Sequence, residues 1–372
     1  MPMAFETIKN RLMYSVSRGD VLTDKKNGCR RKYFYSYYFH WNGWSVRKSI
    51  KQGLDDSFKP EDLETPIRKK IAYTFKKATG KYLHVGVKIH SQIEKLLELA
   101  KLGNFIDTEF RRNSFVDMAV EKFRSELKAS VEDQKTEAFL DKPKKHTFFI
   151  EYLNSCQFSH GHPNILPPSW ARFVDDLTDL YEINLKSFFE CKLYEGLYFL
   201  SKRSDIFDVE PSYSYTYKFK YEGKKYAIPV QIRPDLLTLS DGVLSIYDWK
   251  TGSSRNIKFF QLQFYAYMLK RAQEDGVVLQ DKTIDSIKLK IYALKEGKPL
   301  QEEYDDSAFD IESLHSVFAD MIDITDSGIE LNSVADSREL EFEVNRNSGM
   351  FGCRTCPFLK ICPGTAEKLG FL

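Results

Sequence analysis

Strict alternation of apolar and polar positions marks the second half of the chain. Ser212-Tyr213-Ser214-Tyr215-Thr216-Tyr217-Lys218-Phe219 has the period of a half-buried strand, and Gly223 marks the turn after it. Two further strand-like runs, Ile228–Ser240 and Val243–Lys250, flank Asp241-Gly242. Asp-Gly between such runs predicts a hairpin, because a type I′ turn needs positive φ at both central residues. A two-residue loop pairs Ser240 with Val243, and the same register sets Asp235 opposite Asp248. Pro234 lacks an N–H, so its strand must be an edge or bulge there, which would shift that register by one. Ser286–Leu294 also alternates and predicts a strand.

Helical periodicity dominates the first half. Residues 5–18 read as a strand or short helix running into a loop with Ser15 and Ser17. Residues 66–102 read as helical, with Ile89, Ile93, Leu96 and Leu97 on one stripe. Phe115–Val131 is periodic, a Pro/Gly loop covers Ser159–Ser169, and a helical run follows from Trp170 to about Leu200. A helix is expected from Asn256 to Glu274 and another from Glu312 to Ile324. In the former, Gln261 and Tyr265 share a face, as do Gln263 and Tyr267. That helix is apolar nearly all round, so a Gln on it belongs at the rim of a site, where it can be hydrogen-bonded.

The hairpin carries the candidate chemistry. Cross-strand carboxylates at 235 and 248 repel unless a cation lies between them, and Lys250 shares their face. Asp, Asp and Lys at one spot on a sheet suit a divalent metal and a water. His90, beside Ile93 and Glu94 on its helix, reads either as a satisfied core histidine or as a ligand. His160 and His162 read as loop residues, and Glu210 as a strand-edge charge. Near the end of the sequence Cys353, Cys356 and Cys362 follow CxxC-x5-C spacing, with Pro after the second and third. Zinc would want a second CxxC or a His pair nearby, whereas Cys-Pro occurs at iron–sulfur sites. Cys29, alone in a basic segment, is the natural fourth thiolate; a disulfide or chance clustering is the alternative. Cys156 and Cys191 read as buried thiols.

Composition sharpens the picture in two respects. Aromatics make up 14% of the 372 residues, including 28 Phe and 21 Tyr. The run Tyr33 to Phe39 follows the basic Arg30-Arg31-Lys32, and a helix there sets Tyr33, Tyr37 and Trp41 on one stripe. Such a stripe serves either core packing or the stacking of bases. Charge is uneven: residues 1–90 hold 19 Lys and Arg against 8 Asp and Glu, a net of +11, so the remainder carries −9 within an overall +2. This leaves open a polyanion partner met by the N-terminal quarter or a set of solvated Lys-rich helices. No apolar run reaches the roughly 20 residues of a membrane span, and the first residues lack a signal-peptide core. A cytoplasmic protein with no membrane association is the expectation.

Several motifs in order resemble the RecB-like branch of the PD-(D/E)XK nuclease superfamily, in particular its iron–sulfur exonucleases, such as the CRISPR-associated RecB-like exonucleases and the AddB nuclease domain. Gly86-x-x-x-His90 resembles the helix that carries the metal-binding His. Arg233-Pro234-Asp235 resembles Gly-Arg-x-Asp, Asp248-Trp249-Lys250-Thr251-Gly252 resembles Asp-Tyr-Lys-Thr-Gly, and Gln261 to Tyr265 resembles Gln-x-x-x-Tyr. Cys29 and the three-Cys cluster match the four cluster ligands. Ile232 departs from the usual Gly, the segment from His90 to Asp235 is longer than in compact exonucleases, and no Walker A pattern is present.

The resemblance implies an α/β fold of restriction-endonuclease type: a mixed central sheet flanked by helices, a large helical insertion, and an iron–sulfur clip joining N- and C-terminal segments. The corresponding division is 1–102, basic and aromatic with the first cluster Cys and the His helix; 103–205, the insertion; 206–300, the core sheet and Gln-x-x-x-Tyr helix; and 301–372, helical with the Cys cluster. It implies Mg²⁺ or Mn²⁺ held by His90, Asp235 and Asp248, with the Trp249 carbonyl as a further ligand. Lys250 would act on the attacking water, and Gln261 and Tyr265 would position substrate or the lysine. Cys29, Cys353, Cys356 and Cys362 would hold a 4Fe–4S cluster. The expected function is metal-dependent hydrolysis of DNA, as an exonuclease or end-processing enzyme in repair, recombination or CRISPR/phage-related defence. Expected partners are single-stranded DNA or duplex ends, with nuclease, helicase or CRISPR-adaptation proteins beside it. The alternatives are a DNA-end-binding module with a vestigial site and an RNA-processing nuclease.

Overall fold

A computed structural model of the chain describes residues 13–23, 29–40, 64–135, 147, 149–153, 169–190, 192–333, 356–358 and 361–362. In chain order the helices before the sheet are α1 (Val16–Thr23), α2 (Arg30–Phe34), which continues as a π-helical turn over Tyr35–Phe39, α3 (Thr65–Phe75), α4 (Lys81–Lys101), α5 (Glu109–Lys135), α6 (Ile150–Leu153), α7 (Trp170–Glu190) and α8 (Leu193–Arg203). Strands β1 (Ile206–Val209), β2 (Tyr213–Tyr221), β3 (Lys224–Ile232), β4 (Leu236–Ser240) and β5 (Val243–Lys250) follow. Then come α9 (Phe260–Glu274), β6 (Ser286–Ala293), β7 (Lys298–Glu303) and α10 (Ile311–Ser333).

Backbone conformation explains where the long helical runs break. The run over 66–102 is two helices, because Gly80 is extended and opens α4 as its N-cap. Trp170–Leu200 is also two helices, divided where Lys192 takes a left-handed φ of 55°. The helix after β5 starts at Phe260 rather than at residue 256, since Ser254–Asn256 forms a separate 3₁₀ turn capped by the Ser253 side chain. The loop expected around Ser15 and Ser17 gives way at Val16 to α1, which runs on to Thr23.

Five strands form the central sheet in the order β1-β4-β5-β6-β7. β5 and β6 are parallel, joined by the α9 crossover, and the other neighbours are antiparallel. The expected hairpin forms between β4 and β5, with Asp241 at φ 51° and Gly242 at φ 73°. Its ladder runs from Ser240↔Val243 to Leu236↔Tyr247, the derived register. The run Ile228–Ser240, however, is not one strand. β3 pairs with β2 in a separate two-stranded sheet, and the chain changes sheets across Arg233-Pro234-Asp235. Proline, which cannot donate to a ladder, stands at the crossing point.

Alternation along β5 divides the interior in two. Leu244 and Ile246 face a core built with Leu237 and Leu239 of β4, α9, the β2–β3 ribbon and α10. Tyr247 and Trp249 face a second core with α4, α5, α7 and α8. β5 is therefore covered on both faces, as expected of a strand with a parallel neighbour. The α4 stripe predicted at Ile89, Ile93, Leu96 and Leu97 is fully buried in the second core. The run at 33–39 settles into the first core: Tyr33, Phe34, Tyr35, Tyr38 and Phe39 are all buried. Tyr35 and Arg68 both donate to the Ile361 carbonyl, at 3.2 and 3.1 Å, so the two ends of the chain meet there. Trp41 lies outside the described residues.

Candidate active site

β5 outlasts β4, and the site is built on that overhang. With β4 ended at Leu236, the backbone N–H and C=O of Trp249 on that side have no strand to pair with. Asp235 and His90 take them. The Trp249 N–H donates to Asp235 Oδ2 at 2.6 Å, and the Trp249 carbonyl lies 2.8 Å from His90 Nε2. Asp235 is fixed in turn by its own amide, which donates to the Tyr247 carbonyl at 3.2 Å. That bond is one step out of the ladder's frame, so the slip at Pro234 falls just beyond the paired residues. His90 Nδ1 completes the ring, 3.2 Å from Asp235 Oδ1.

Two helices on opposite faces of the sheet bring the other groups. α4 supplies His90 from beside the buried Ile89. α9 supplies Gln261, whose Oε1 accepts from Lys250 Nζ at 3.0 Å and whose Nε2 donates to the Tyr265 hydroxyl at 3.1 Å. Lys250 also donates to Asp248 Oδ1 at 3.0 Å and stands 2.8 Å from Oδ2. The hydrogen-bonded chain thus runs from Asp248 through Lys250 and Gln261 to Tyr265. The shared face expected of Gln263 and Tyr267 serves packing instead: Gln263 bonds Glu302, and Tyr267 bonds the Tyr217 hydroxyl.

The electrostatics follow from this placement. Asp248 is buried, and burial together with the nearby Asp235 pushes its carboxyl up to about 6, against the pull of Lys250 and His90. Burial alone would lower His90, but its hydrogen bond to Asp235 and the two carboxylates' charge raise it above the usual histidine value. With both ring nitrogens facing oxygens, the imidazolium form bridges Asp235 and the Trp249 carbonyl. Burial pushes the Tyr265 hydroxyl up to about 12, so it stays protonated.

These residues fit a divalent cation by one direct sign. Asp248 Oδ2 is buried and accepts no hydrogen bond, its charge met by the Lys250 ammonium at 2.8 Å. A buried carboxylate oxygen left in this state favours a cation. The donors available are those two carboxylates, the His90 imidazole after it gives up a proton, and the Trp249 carbonyl once His90 releases it. Among the described residues, no group of three or more His, Cys, Asp or Glu side chains is placed so as to hold a metal ion.

The cysteines lie elsewhere, where the ends of the chain meet. Cys29 caps α2, its Sγ accepting from the Lys32 amide at 3.4 Å. Arg31, two residues on, donates to Cys362 Sγ at 3.6 Å. Burial pushes the Cys356 thiol up to about 12, and it lies close enough to Cys29 and Cys362 for their charge to act on it. Cys29, Cys356 and Cys362 therefore share one region, while Cys353, Cys156, Cys191, His160 and His162 lie outside the described residues.

One neighbour of the site does more than its sequence reading assigned. Glu210, read as a strand-edge charge, has a left-handed φ of 43°, and its amide donates to the Asp235 carbonyl at 3.0 Å. Its carboxylate holds Arg233. It therefore clamps the Arg233-Pro234-Asp235 crossing from both sides. The signal available was its place directly before Pro211 at the end of a strand. Glu94, a turn beyond His90, makes no hydrogen bond or ion pair with the described site.

Comparison with known families bears on this geometry. A model of the PD-(D/E)XK nuclease superfamily matches residues 195–363. The matched PD-(D/E)XK segment takes in Asp235, Asp248, Lys250, Gln261 and Tyr265, but neither His90 nor Cys29. The central mixed sheet flanked by helices fits the restriction-endonuclease-like fold of that superfamily. One solved structure, the crystal structure of SSO0001, is similar at 14% identity over 52% of this chain and 80% of that one, with a TM-score of 0.24. A comparison with curated proteins gives no match. Among the described residues no helix is long and apolar enough to cross a membrane.

Proposed function

We propose that the chain is a metal-dependent deoxyribonuclease in which Asp235, Asp248 and His90 hold Mg²⁺ or Mn²⁺ and Lys250 is the catalytic base-side cation. The reading rests above all on the convergence of His90, Asp235, Asp248, Lys250 and Gln261, from three separated stretches, at the open end of β5. When bound, the metal supplies neutralising charge at a scissile phosphate and makes a water acidic enough to attack. Lys250 orients that water and stabilises charge developing on the phosphate oxygens. Asp248 and Gln261 fix the direction of the ammonium, and Tyr265 fixes Gln261. The Trp249 carbonyl is the fourth donor. DNA, as single strands or duplex ends, is the substrate proposed, in an exonuclease or end-processing role.

Cys29, Cys353, Cys356 and Cys362 are proposed to hold a 4Fe–4S cluster that pins the N-terminal helices to the end of the chain. The CxxC-x5-C spacing and the nearness of Cys29 and Cys362 to Cys356 favour this reading, although among the described residues no three such side chains form a metal-holding group; the cluster's role would be structural.

The decisive experiment is cleavage of 5′- and 3′-labelled DNA with Mn²⁺ by wild type, Asp248→Ala and Lys250→Ala. Loss of cleavage in both variants with retained folding is expected. Cleavage that persists in either overturns the assignment, and salt-dependent binding without any metal-dependent product would mark a binding module instead. For the cluster, anaerobically purified protein should be brown and Cys356→Ser should lose the colour; a colourless protein containing zinc would refute it.

A further inference from the structure

The β2–β3 ribbon has one face that no fold requirement explains. Its inner face, Tyr215, Tyr217, Phe219, Ile228, Val230 and Ile232, is buried in the first core. The register sets the outer face: Ser214↔Gln231, Thr216↔Pro229, Lys218↔Ala227 and Lys220↔Lys225. Lys218, Lys220 and Lys225 are exposed. Two lysines directly opposite each other destabilise an antiparallel pair. No ion pair relieves them among the described residues, and the outer face has no acidic side chain; Glu222 lies in the turn beyond it. The other positions on that face are small or uncharged, so a bulky partner can approach the ribbon closely.

The ribbon's position gives the lysines a direction. β3 ends at Ile232 and the chain passes directly into Arg233-Pro234-Asp235. Lys225 and Ile232 are seven residues apart on one strand, roughly 23 Å at the usual rise of about 3.3 Å. That span corresponds to about seven base pairs of duplex, with a phosphate charge roughly every 1.7 Å of its axis.

We propose that the outer face of the β2–β3 ribbon is a nucleic-acid-binding arm, on which Lys218, Lys220 and Lys225 hold the phosphate backbone about five to seven base pairs back from the end of β3, where the chain enters the site. This rests on the nuclease reading for the site, and on the ribbon alone for the binding. The lysines act as sequence-independent charges that neutralise phosphates and release counterions.

The test is the triple variant Lys218→Gln, Lys220→Gln, Lys225→Gln in the full chain, with binding measured in EDTA across a salt series. Probes are a duplex of about 30 base pairs and a single strand of the same length. The slope of log affinity against log salt should fall by up to about 3 for the duplex and by about 2 for the single strand. The thermal midpoint should hold or rise, because the Lys220–Lys225 repulsion is removed; a structural role for the lysines would lower it. An unchanged slope on both probes overturns the proposal and leaves the ribbon to another partner, such as an acidic protein. Because EDTA prevents cleavage, the two readings fail separately. Wild type that binds through the lysines but never cleaves with Mn²⁺ sinks the nuclease reading alone. Wild type that cleaves with an unaltered slope in the variant sinks the arm alone.

Discussion

Replacing Asp248 by Asn should stabilise the metal-free protein while abolishing its metal response. Asp248 is 3% exposed, and its carboxyl is pushed up to about 6 by burial and by Asp235. Raising a carboxyl from its ordinary value near 4 to about 6 costs the ionised form about 3 kcal/mol. Asparagine has the same shape and no charge, so it removes that cost. That net shift already contains the pull of Lys250. Lys250 is 36% exposed and keeps its bond to Gln261, so the substitution does not leave it a buried unpaired charge. The net expectation is a gain of about 1–3 kcal/mol for Asp248→Asn in urea denaturation with EDTA at pH 8. The sign fixes the pH dependence. The folded value lies above the unfolded one, so the penalty on the wild type is full above about pH 7 and gone below about pH 4. The advantage of Asp248→Asn should therefore close as pH falls through that window. With Mn²⁺ the order should reverse, since the metal stabilises only the protein that binds it. An Asp248→Asn variant less stable than wild type in EDTA at pH 8, or stabilised equally by Mn²⁺, would refute the reasoning.

Other perturbations follow from the same geometry. Ile93→Ala, at a fully buried position on α4, should cost about 2–5 kcal/mol by urea denaturation, and Mn²⁺ binding measured by calorimetry should weaken with it because α4 carries His90. Gly242→Ala puts a side chain at φ 73° and drives its Cβ into the Asp285 carboxylate, so a loss of about 1–2 kcal/mol is expected in the same assay. Glu210→Val should destabilise more than Glu210→Gly, by about 1–2 kcal/mol, since a branched residue tolerates φ 43° poorly whereas glycine adopts it freely; equal stabilities would argue against strain at the crossing.

Much of the site was legible locally. Asp241-Gly242 specified a turn with two positive φ values, and that turn fixed the β4–β5 register. Period-two alternation then assigned Asp248 and Lys250 to one face of β5. The α4 stripe set His90 beside a buried row, and the four-residue spacing of Gln261 and Tyr265 gave the pair that hydrogen-bonds. The cysteine spacing suggested that the chain's ends meet, and Arg31 to Cys362 spans that junction.

Local chemistry of this kind is set by φ, ψ and near neighbours, which the sequence alone determines. It could not say that β3 and β4 belong to different sheets, because a proline without an N–H allows an edge, a bulge or a departure equally. It could not assign Glu210 its hold on Asp235, since that bond joins backbone groups whatever side chain they bear. Nor could it bring His90 to Asp235, 145 residues away. That meeting is decided by which buried faces fit each other across the sheet. The overhang of β5 beyond β4, with the bare backbone of Trp249 waiting for partners, exists only once the tertiary structure has ended one strand before the other.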